Sequence, residues 1–179
     1  MSMRITELIL HPVRIRIVQA AMDGPAITTS DLCASMPDVS KATMYRHVAL
    51  LVEGGLLKVV SEERVRGAVE RSYRLEHTRA VLNDAEVAAM STDDHRRGFA
   101  AAVTSLLAEF EVYLDRDGAD PFGDGVSYRQ FVLWLSQAEK AELIDEVFAA
   151  IRARSGAGPA SGRRRHLLST IIFPADPRR

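Results

Sequence analysis

Two short helical patterns separated by a proline turn, within residues 29–57, constrain the fold of this chain more than any other stretch. Thr28 and Asp31 have the spacing of a helix N-cap and its capping-box partner, and Pro37 ends the helix that they begin. Ser40 has the features of a second N-cap, and Gly54-Gly55 provides a left-handed exit for the second helix. The stretch therefore predicts two helices joined by a short turn.

The second of these helices has one apolar face and one face with polar groups. Its apolar positions recur at i, i+4 and i+7 and form a stripe that packs inward, namely Met44, Val48 and Leu51. Its outward side chains are Lys41, Thr43, Tyr45 and Arg46. A helix that enters the major groove of DNA needs this arrangement, because its buried side is apolar while its outer side reaches bases and phosphates. We predict that this face contacts DNA and is more than a solvated surface.

The outward side chains suit different parts of a DNA duplex. Arg46 can bridge the O6 and N7 atoms of a guanine, a contact worth about 1 to 3 kcal/mol of discrimination between bases. Lys41 lies at the helix start and suits a phosphate, whereas the methyl group of Thr43 suits that of a thymine. Tyr45 suits either role. His47 lies beside the apolar stripe, so DNA contact and packing in the core are both open for it.

The segments on either side complete a recognisable order of elements. The run PVRIRIVQAAM, residues 12–22, predicts a buried first helix, and LLKVVSEE and VERSYRL predict two strands joined by RVRGA. Arg64 and Arg66 lie at the tip of this predicted hairpin and Arg71 on its return strand, where they can contact phosphates or the minor groove. Helix, helix, turn, helix and hairpin form a winged helix-turn-helix, so we predict a DNA-binding domain over residues 1–80.

The sequence DVSKATMYRHVALLVEGGLL followed by RGAVERSYRL resembles the ArsR-type winged-helix transcriptional regulators. The similarity covers about residues 10–77 and is greatest to the metal-independent branch with an added C-terminal domain. Metal-sensing members carry paired cysteines, whereas Cys33 stands alone here. The resemblance implies a homodimeric, cytoplasmic bacterial repressor or activator that binds a palindromic operator. It also implies that residues 41, 43, 45, 46 and 47 belong to the recognition helix and that Arg66 belongs to the wing.

Residues 81–179 predict a second domain of helical or α+β type, for dimerisation or sensing. An apolar seam with alternating steps of four and three residues is narrow enough to pack against another helix, and it consists of Phe99, Val103, Leu106, Phe110 and Tyr113. Its partner is either the same chain or a second copy, and we favour a homodimer because operators present two half-sites. Farther on, VSYRQFVLWL and RHLLSTIIF predict strands on either side of a helix that Ser136 caps. The whole chain is then mainly α with a small β component.

Composition restricts where and how the protein works. The formal net charge is -1, and the first 80 residues carry 11 basic and 9 acidic side chains, so attraction to DNA has to be local. The single cysteine suits a reducing compartment. Charged residues interrupt the apolar N-terminal run, and no long uncharged apolar window follows. We therefore expect a cytoplasmic protein that does not span a membrane.

These features favour a sequence-specific regulator of transcription that binds double-stranded DNA, and we expect it to act as a repressor. Motifs of hydrolases, nucleotide-binding enzymes and zinc proteases are absent from the sequence, so we expect neither an enzyme nor a cofactor. The alternative is a winged-helix adaptor that binds another protein and no DNA. A small-molecule effector is open, and the sequence identifies none.

Overall fold

The computed structural model describes residues 8–22, 24, 26–65, 67–76, 84–155 and 160–175. The helices in these ranges are α1 (Pro12–Met22), α2 (Thr29–Ser35), α3 (Lys41–Glu53), α4 (Asp84–Ala88), α5 (Thr92–Leu114) and α6 (Gln137–Arg152). The strands are β1 (Ile27–Thr28), β2 (Leu57–Val65) and β3 (Ala68–Leu75), and they form an antiparallel sheet in the order β1-β3-β2. The chain is therefore a mixed α+β protein, as the sequence predicts.

The caps of α2 and α3 define the helix-turn-helix. The Thr28 hydroxyl accepts the Asp31 N–H, and the Asp31 carboxylate accepts the Thr28 N–H, so both halves of the predicted capping box are present. The Ser40 hydroxyl accepts the Thr43 N–H at the start of α3. Gly55 follows the end of α3 with φ of 71°, a conformation that favours glycine. Both predicted caps and the left-handed exit are confirmed.

The first three helices and the sheet share one hydrophobic core. The predicted stripe of α3, Met44, Val48 and Leu51, is buried in this core. Ile17 of α1 and Leu32 of α2 are fully buried against it. Burial of one face fixes the rotation of α3 about its axis, so its opposite face points to solvent.

Strands β2 and β3 form the predicted hairpin. Their register runs from Leu57 opposite Leu75 to Val65 opposite Ala68, with an irregularity between Val59 and Ser61. Gly67 occupies the tip with φ of 87°. Tyr73 is buried and anchors β3 to the core. The hairpin therefore forms a wing, with Gly67 at its tip.

Helix α5 packs against α1 and belongs to the same compact unit, which extends through Ala119. The side of α5 that is buried carries small residues, Ala101 and Ser105. A Cβ atom at Gly98 would lie 2.9 Å from Leu10 Cδ2, so glycine permits this close approach. The contacts thus divide the chain after Ala119, beyond the boundary predicted at residue 80. Whether residues 1–80 fold independently stays a prediction.

The second unit begins at Asp120 and contains α6. The predicted cap of this helix is confirmed, because the Ser136 hydroxyl accepts the Glu139 N–H and the Glu139 carboxylate accepts the Ser136 N–H. Helix α6 has no buried residue. Its apolar side chains are therefore at most partly covered, and Phe148 is among the exposed ones.

The two strands predicted on either side of α6 are wrong for this chain. Residues 126–135 and 163–175 have no regular secondary structure, and they pair with no strand in the part of the chain that the structure describes. Their composition favours strands, but a strand requires a hydrogen-bonded neighbour. The predicted order of strand, helix and strand is consequently absent from this part of the described chain.

Candidate nucleic-acid interface

The outward face of α3 is open to solvent. Lys41 and Arg46 are exposed, and Tyr45 is 58% exposed. Lys41 and Tyr45 are one helical turn apart, so both side chains extend from the same side of the helix. The structure thus brings a cation, a phenol and a guanidinium together on the face that the sequence predicts.

Thr43 has a local structural role at the start of α3. Its hydroxyl and that of Ser40 lie 2.9 Å apart, within hydrogen-bond distance, while its N–H donates to the Ser40 hydroxyl at 3.3 Å. The side chain is only partly exposed. Thr43 therefore contributes to the N-cap, and its contact with a base stays a prediction.

His47 lies inside the protein and not with the outward side chains. It is 3% exposed, and its ring lies 4.4 Å from that of His11, centroid to centroid, with an interplanar angle of 43°. Burial, followed by the positive potential of His11, Arg14 and Arg46, lowers the pKa of His47 to about 4. The structure corrects its assignment to the DNA-contacting set, because a buried neutral ring beside the apolar stripe serves packing.

The wing presents both cations and carboxylates. Arg64 is exposed on β2 opposite Val69, and Arg66 lies outside the described residues. Arg71 on β3 lies opposite Glu62 and donates from Nε to its carboxylate at 2.7 Å. Both side chains are about half exposed, so the pair is weak and can exchange for a phosphate at small cost. The predicted wing arginines Arg64 and Arg71 are therefore accessible.

A cleft separates the recognition helix from the wing. Its lining combines groups from α2, α3 and β3, namely Thr29, Ser30, Tyr45, Val69, Glu70, Arg71 and Tyr73. Tyr45 and Arg71, which are distant in sequence, thus line the same depression. Glu70 places a carboxylate beside them, and Glu63 lies opposite Glu70 in the hairpin register. This acidic contribution is not among the features predicted from the sequence, although Glu63 and Glu70 both lie in the predicted strands.

A buried arginine connects the turn of the helix-turn-helix to α5. Arg16 of α1 is 2% exposed and donates to both carboxylate oxygens of Asp38, at 2.5 and 2.8 Å. Its Nε donates to Glu109 of α5 at 2.8 Å. Burial opposes the charge of Arg16, but the hydrogen bonds to the two carboxylates outweigh it, so its pKa is raised. The hydrogen bond from Arg16 likewise lowers the pKa of Asp38.

The arginine network has only a weak signal in the sequence. Arg16 lies between Ile15 and Ile17 in an apolar helix. A buried arginine there needs carboxylate partners, but the sequence does not show which carboxylates these are. Asp38 lies 22 positions away and Glu109 lies 93 positions away. The three residues meet because α5 packs against α1.

The predicted dimerisation seam lies mostly on the exposed side of α5. Phe99 is 52% exposed, and Val103 and Leu106 are exposed as well. Phe110 and Tyr113 are partly buried, with ring centroids 5.9 Å apart. Helix α5 thus packs its small residues against α1 and presents large apolar side chains to solvent.

Comparison with known proteins supports the identity of the N-terminal region. Residues 9–60 match the family described as a helix-turn-helix domain, a range that includes α1, α2 and α3. The match and the exposed face of α3 define a helix-turn-helix protein, a class that indicates a DNA-binding regulator of transcription. No curated protein matches the chain.

Two further properties concern the described residues alone. None of the helices found there is both long and apolar enough to cross a membrane. No group of three or more histidine, cysteine, aspartate or glutamate side chains in those ranges is arranged to hold a metal ion.

Proposed function

We propose that this protein is an ArsR-type transcriptional repressor that binds a palindromic operator as a homodimer. The observation that carries the proposal is the exposed surface of α3, where Arg46 lies opposite the buried apolar stripe and Lys41 and Tyr45 are exposed beside it. A helix with this orientation can enter a major groove while its domain remains packed. In this proposal residues 1–80 bind DNA, and residues 81–179 provide dimerisation and any effector site.

The side chains have distinct roles in the proposed complex. Arg46 reads a guanine through its bidentate guanidinium, while Tyr45 contacts a base or a phosphate at the mouth of the cleft. Lys41, Arg64 and Arg71 contact phosphates and give affinity rather than sequence preference. Arg66 has the same role as Arg64 at the wing tip. No catalytic activity and no cofactor are part of this function.

Homodimerisation follows from the geometry of operators. Two half-sites one helical turn apart, about 34 to 36 Å, require two recognition helices related by a twofold axis. The exposed side of α5 supports a dimer, because Phe99, Val103 and Leu106 present apolar area that one chain leaves uncovered.

Selection of bound duplexes from a random pool at two salt concentrations tests the proposal. A palindromic consensus is expected, with an affinity that falls linearly in log-log form at a slope of about -0.9 per neutralised phosphate. Recovery of no duplex at low salt would reject DNA binding and favour the adaptor function. A consensus without twofold symmetry would reject the homodimer on a palindrome.

The Arg46→Ala variant tests base reading separately from affinity. We expect a loss of roughly 10-fold or more on the preferred sequence and a smaller loss on unrelated duplexes. Arg96→Ala is a matched control, since Arg96 is an exposed arginine of α5 paired with Asp93. Unchanged selection among sequences in Arg46→Ala would remove Arg46 from base reading.

A further inference from the structure

Residues 126–135 and 164–173, which we call the apolar segments, leave large side chains in solvent. Phe131 is 76% exposed and Trp134 is 86% exposed in the first segment, and Leu168 and Ile172 are exposed in the second. None of the described residues of the second unit is buried. The unit therefore lacks a core of its own in the described chain, although its composition could supply one.

The exposed area is large enough for a stable interface. An aromatic side chain presents about 150 to 250 Å², and an aliphatic one roughly 100 Å², so the large apolar side chains of the two segments together expose on the order of 1,000 Å². A stable interface buries about 800 Å² per partner, whereas the largest exposed patch of a typical monomer is about 300 to 600 Å². The summed apolar area of the two segments therefore matches what one side of a stable dimer buries.

The sequence of the segments also indicates how they are covered. Residues 126–135 carry apolar groups on both faces of an extended chain, because Phe131, Val132 and Trp134 fall at odd and even positions. Such strands occur inside sheets that are covered on both sides. The segments form no strand pair within the described residues. They thus have the composition of central strands but lack the neighbour that a central strand needs.

A second copy of the chain can provide the missing neighbouring strand, and no other partner has to be assumed. Each copy carries the same two segments, so pairing about a twofold axis satisfies both copies at once. The charged side chains of the segments are all basic, namely Arg129 in the first and Arg164 and Arg165 at the start of the second. Arg164 already pairs with Asp124 at 2.9 Å, which offsets one of these three positive charges in each copy.

We propose that the apolar segments of two copies pair in an intermolecular β-sheet, and that this surface holds the homodimer together. The inference rests on the homodimeric part of the proposed function, and it adds a second surface to the exposed side of α5. It does not depend on DNA binding, so the two can fail separately.

Trp134 is the only tryptophan of the chain and reports directly on this surface. The full-length protein is diluted without DNA, and sedimentation gives the dimer fraction while tryptophan emission and acrylamide quenching are measured on the same samples. We expect emission at shorter wavelength and weaker quenching as the dimer fraction rises. A dimer in which Trp134 stays fully accessible to acrylamide would overturn the proposal. So would a monomer at every concentration, whether Trp134 is accessible or protected.

A pair of matched variants tests whether the first segment lies in the dimer interface. Val132→Asp places a charge in the first segment at a side chain that is 83% exposed, so the monomer tolerates it, while pairing would bury the charge. We expect the dimer dissociation constant to rise by roughly 30-fold or more. Val87→Asp makes the same change at an exposed valine of α4, and we expect about a 2-fold change at most. Equal effects of the two variants would overturn the assignment of the surface.

The readouts separate this proposal from the proposed function. Protection of Trp134 on dimerisation, in a protein that binds no duplex, would support the surface and reject the regulator. Binding to a palindrome by a dimer with an accessible Trp134 would reject the surface and support the regulator.

Discussion

Replacement of Arg16 by methionine should destabilise the first unit far more than an arginine replacement at the surface. The Arg16 guanidinium is buried, donates to both oxygens of Asp38 and reaches Glu109 of α5. Arg16→Met retains most of the buried volume but removes all three hydrogen bonds. Both carboxylates then lose the counter-charge of Arg16, and that of Glu109 is the more buried of the two.

The expected cost follows from the burial of each partner. Removal of one member of a buried ion pair costs about 3 to 5 kcal/mol, because the remaining charge is uncompensated. Asp38 is 44% exposed and can recover part of its hydration, whereas Glu109 is 18% exposed and recovers less. We therefore expect a loss of about 3 kcal/mol in the free energy of unfolding. In a unit of this size the melting temperature falls by something on the order of 10 °C.

Chemical denaturation followed by circular dichroism measures this loss. Arg96→Met is the matched control, because Arg96 and Asp93 are both largely exposed and such a pair is worth at most about 1 kcal/mol. A second test is the double variant Arg16→Met with Glu109→Met, in which the Glu109 carboxylate is no longer left without Arg16. It should recover part of the stability lost in Arg16→Met alone. If Arg16→Met costs no more than Arg96→Met, the guanidinium does not link the three elements energetically.

Three further predictions concern pH, affinity and assembly. The pKa of His47 is lowered to about 4 in the folded protein. As pH falls below about 6.5, the unfolded chain therefore binds a proton before the folded protein does. The free energy of unfolding should decrease by roughly 3 kcal/mol at most between pH 6.5 and 4. Unfolding of His47→Phe followed across that range should show a clearly smaller slope, and an unchanged slope would contradict the assignment. Glu70→Gln removes a carboxylate from the cleft and should tighten DNA binding by roughly 2- to 5-fold at low salt, while Glu146→Gln on α6 should not; weaker binding would contradict this. Val103→Asp charges the exposed side of α5 and should weaken dimerisation measured by sedimentation, and an intact dimer would remove α5 from the interface.

Local patterns in the sequence predict the helix-turn-helix well, because each element there is fixed by residues close to it. The caps at Thr28 and Ser40 satisfy backbone groups within three positions, and the stripe on α3 needs only helical periodicity. The outward position of Arg46, two residues from both Met44 and Val48, follows from the same periodicity. These features could therefore be read before the fold was known.

Features that depend on distant partners could not be read in this way. His47 lies next to the apolar stripe, and its burial is decided by the His11 ring, which precedes α1 in the chain. The pairing of Arg16 with Glu109 requires α5 to pack against α1. The composition of residues 126–135 favours a strand, but a strand forms only where a neighbouring strand supplies hydrogen bonds. In each case the missing information is the identity of a long-range contact.

The position of Arg16 gives the proposed dimer a route by which it can orient its recognition helices. Asp38 lies in the turn between α2 and α3, and Glu109 lies one turn from Leu106 on the helix whose exposed side is proposed to meet a second copy. A single guanidinium therefore ties the turn that leads into α3 to the dimerisation helix. Because the spacing of two half-sites tolerates little error, we expect this tie to matter more for the proposed binding to a palindrome than for stability. Gly98 and Ala101 support the same link, because these small residues let α5 pack closely enough for Glu109 to reach Arg16.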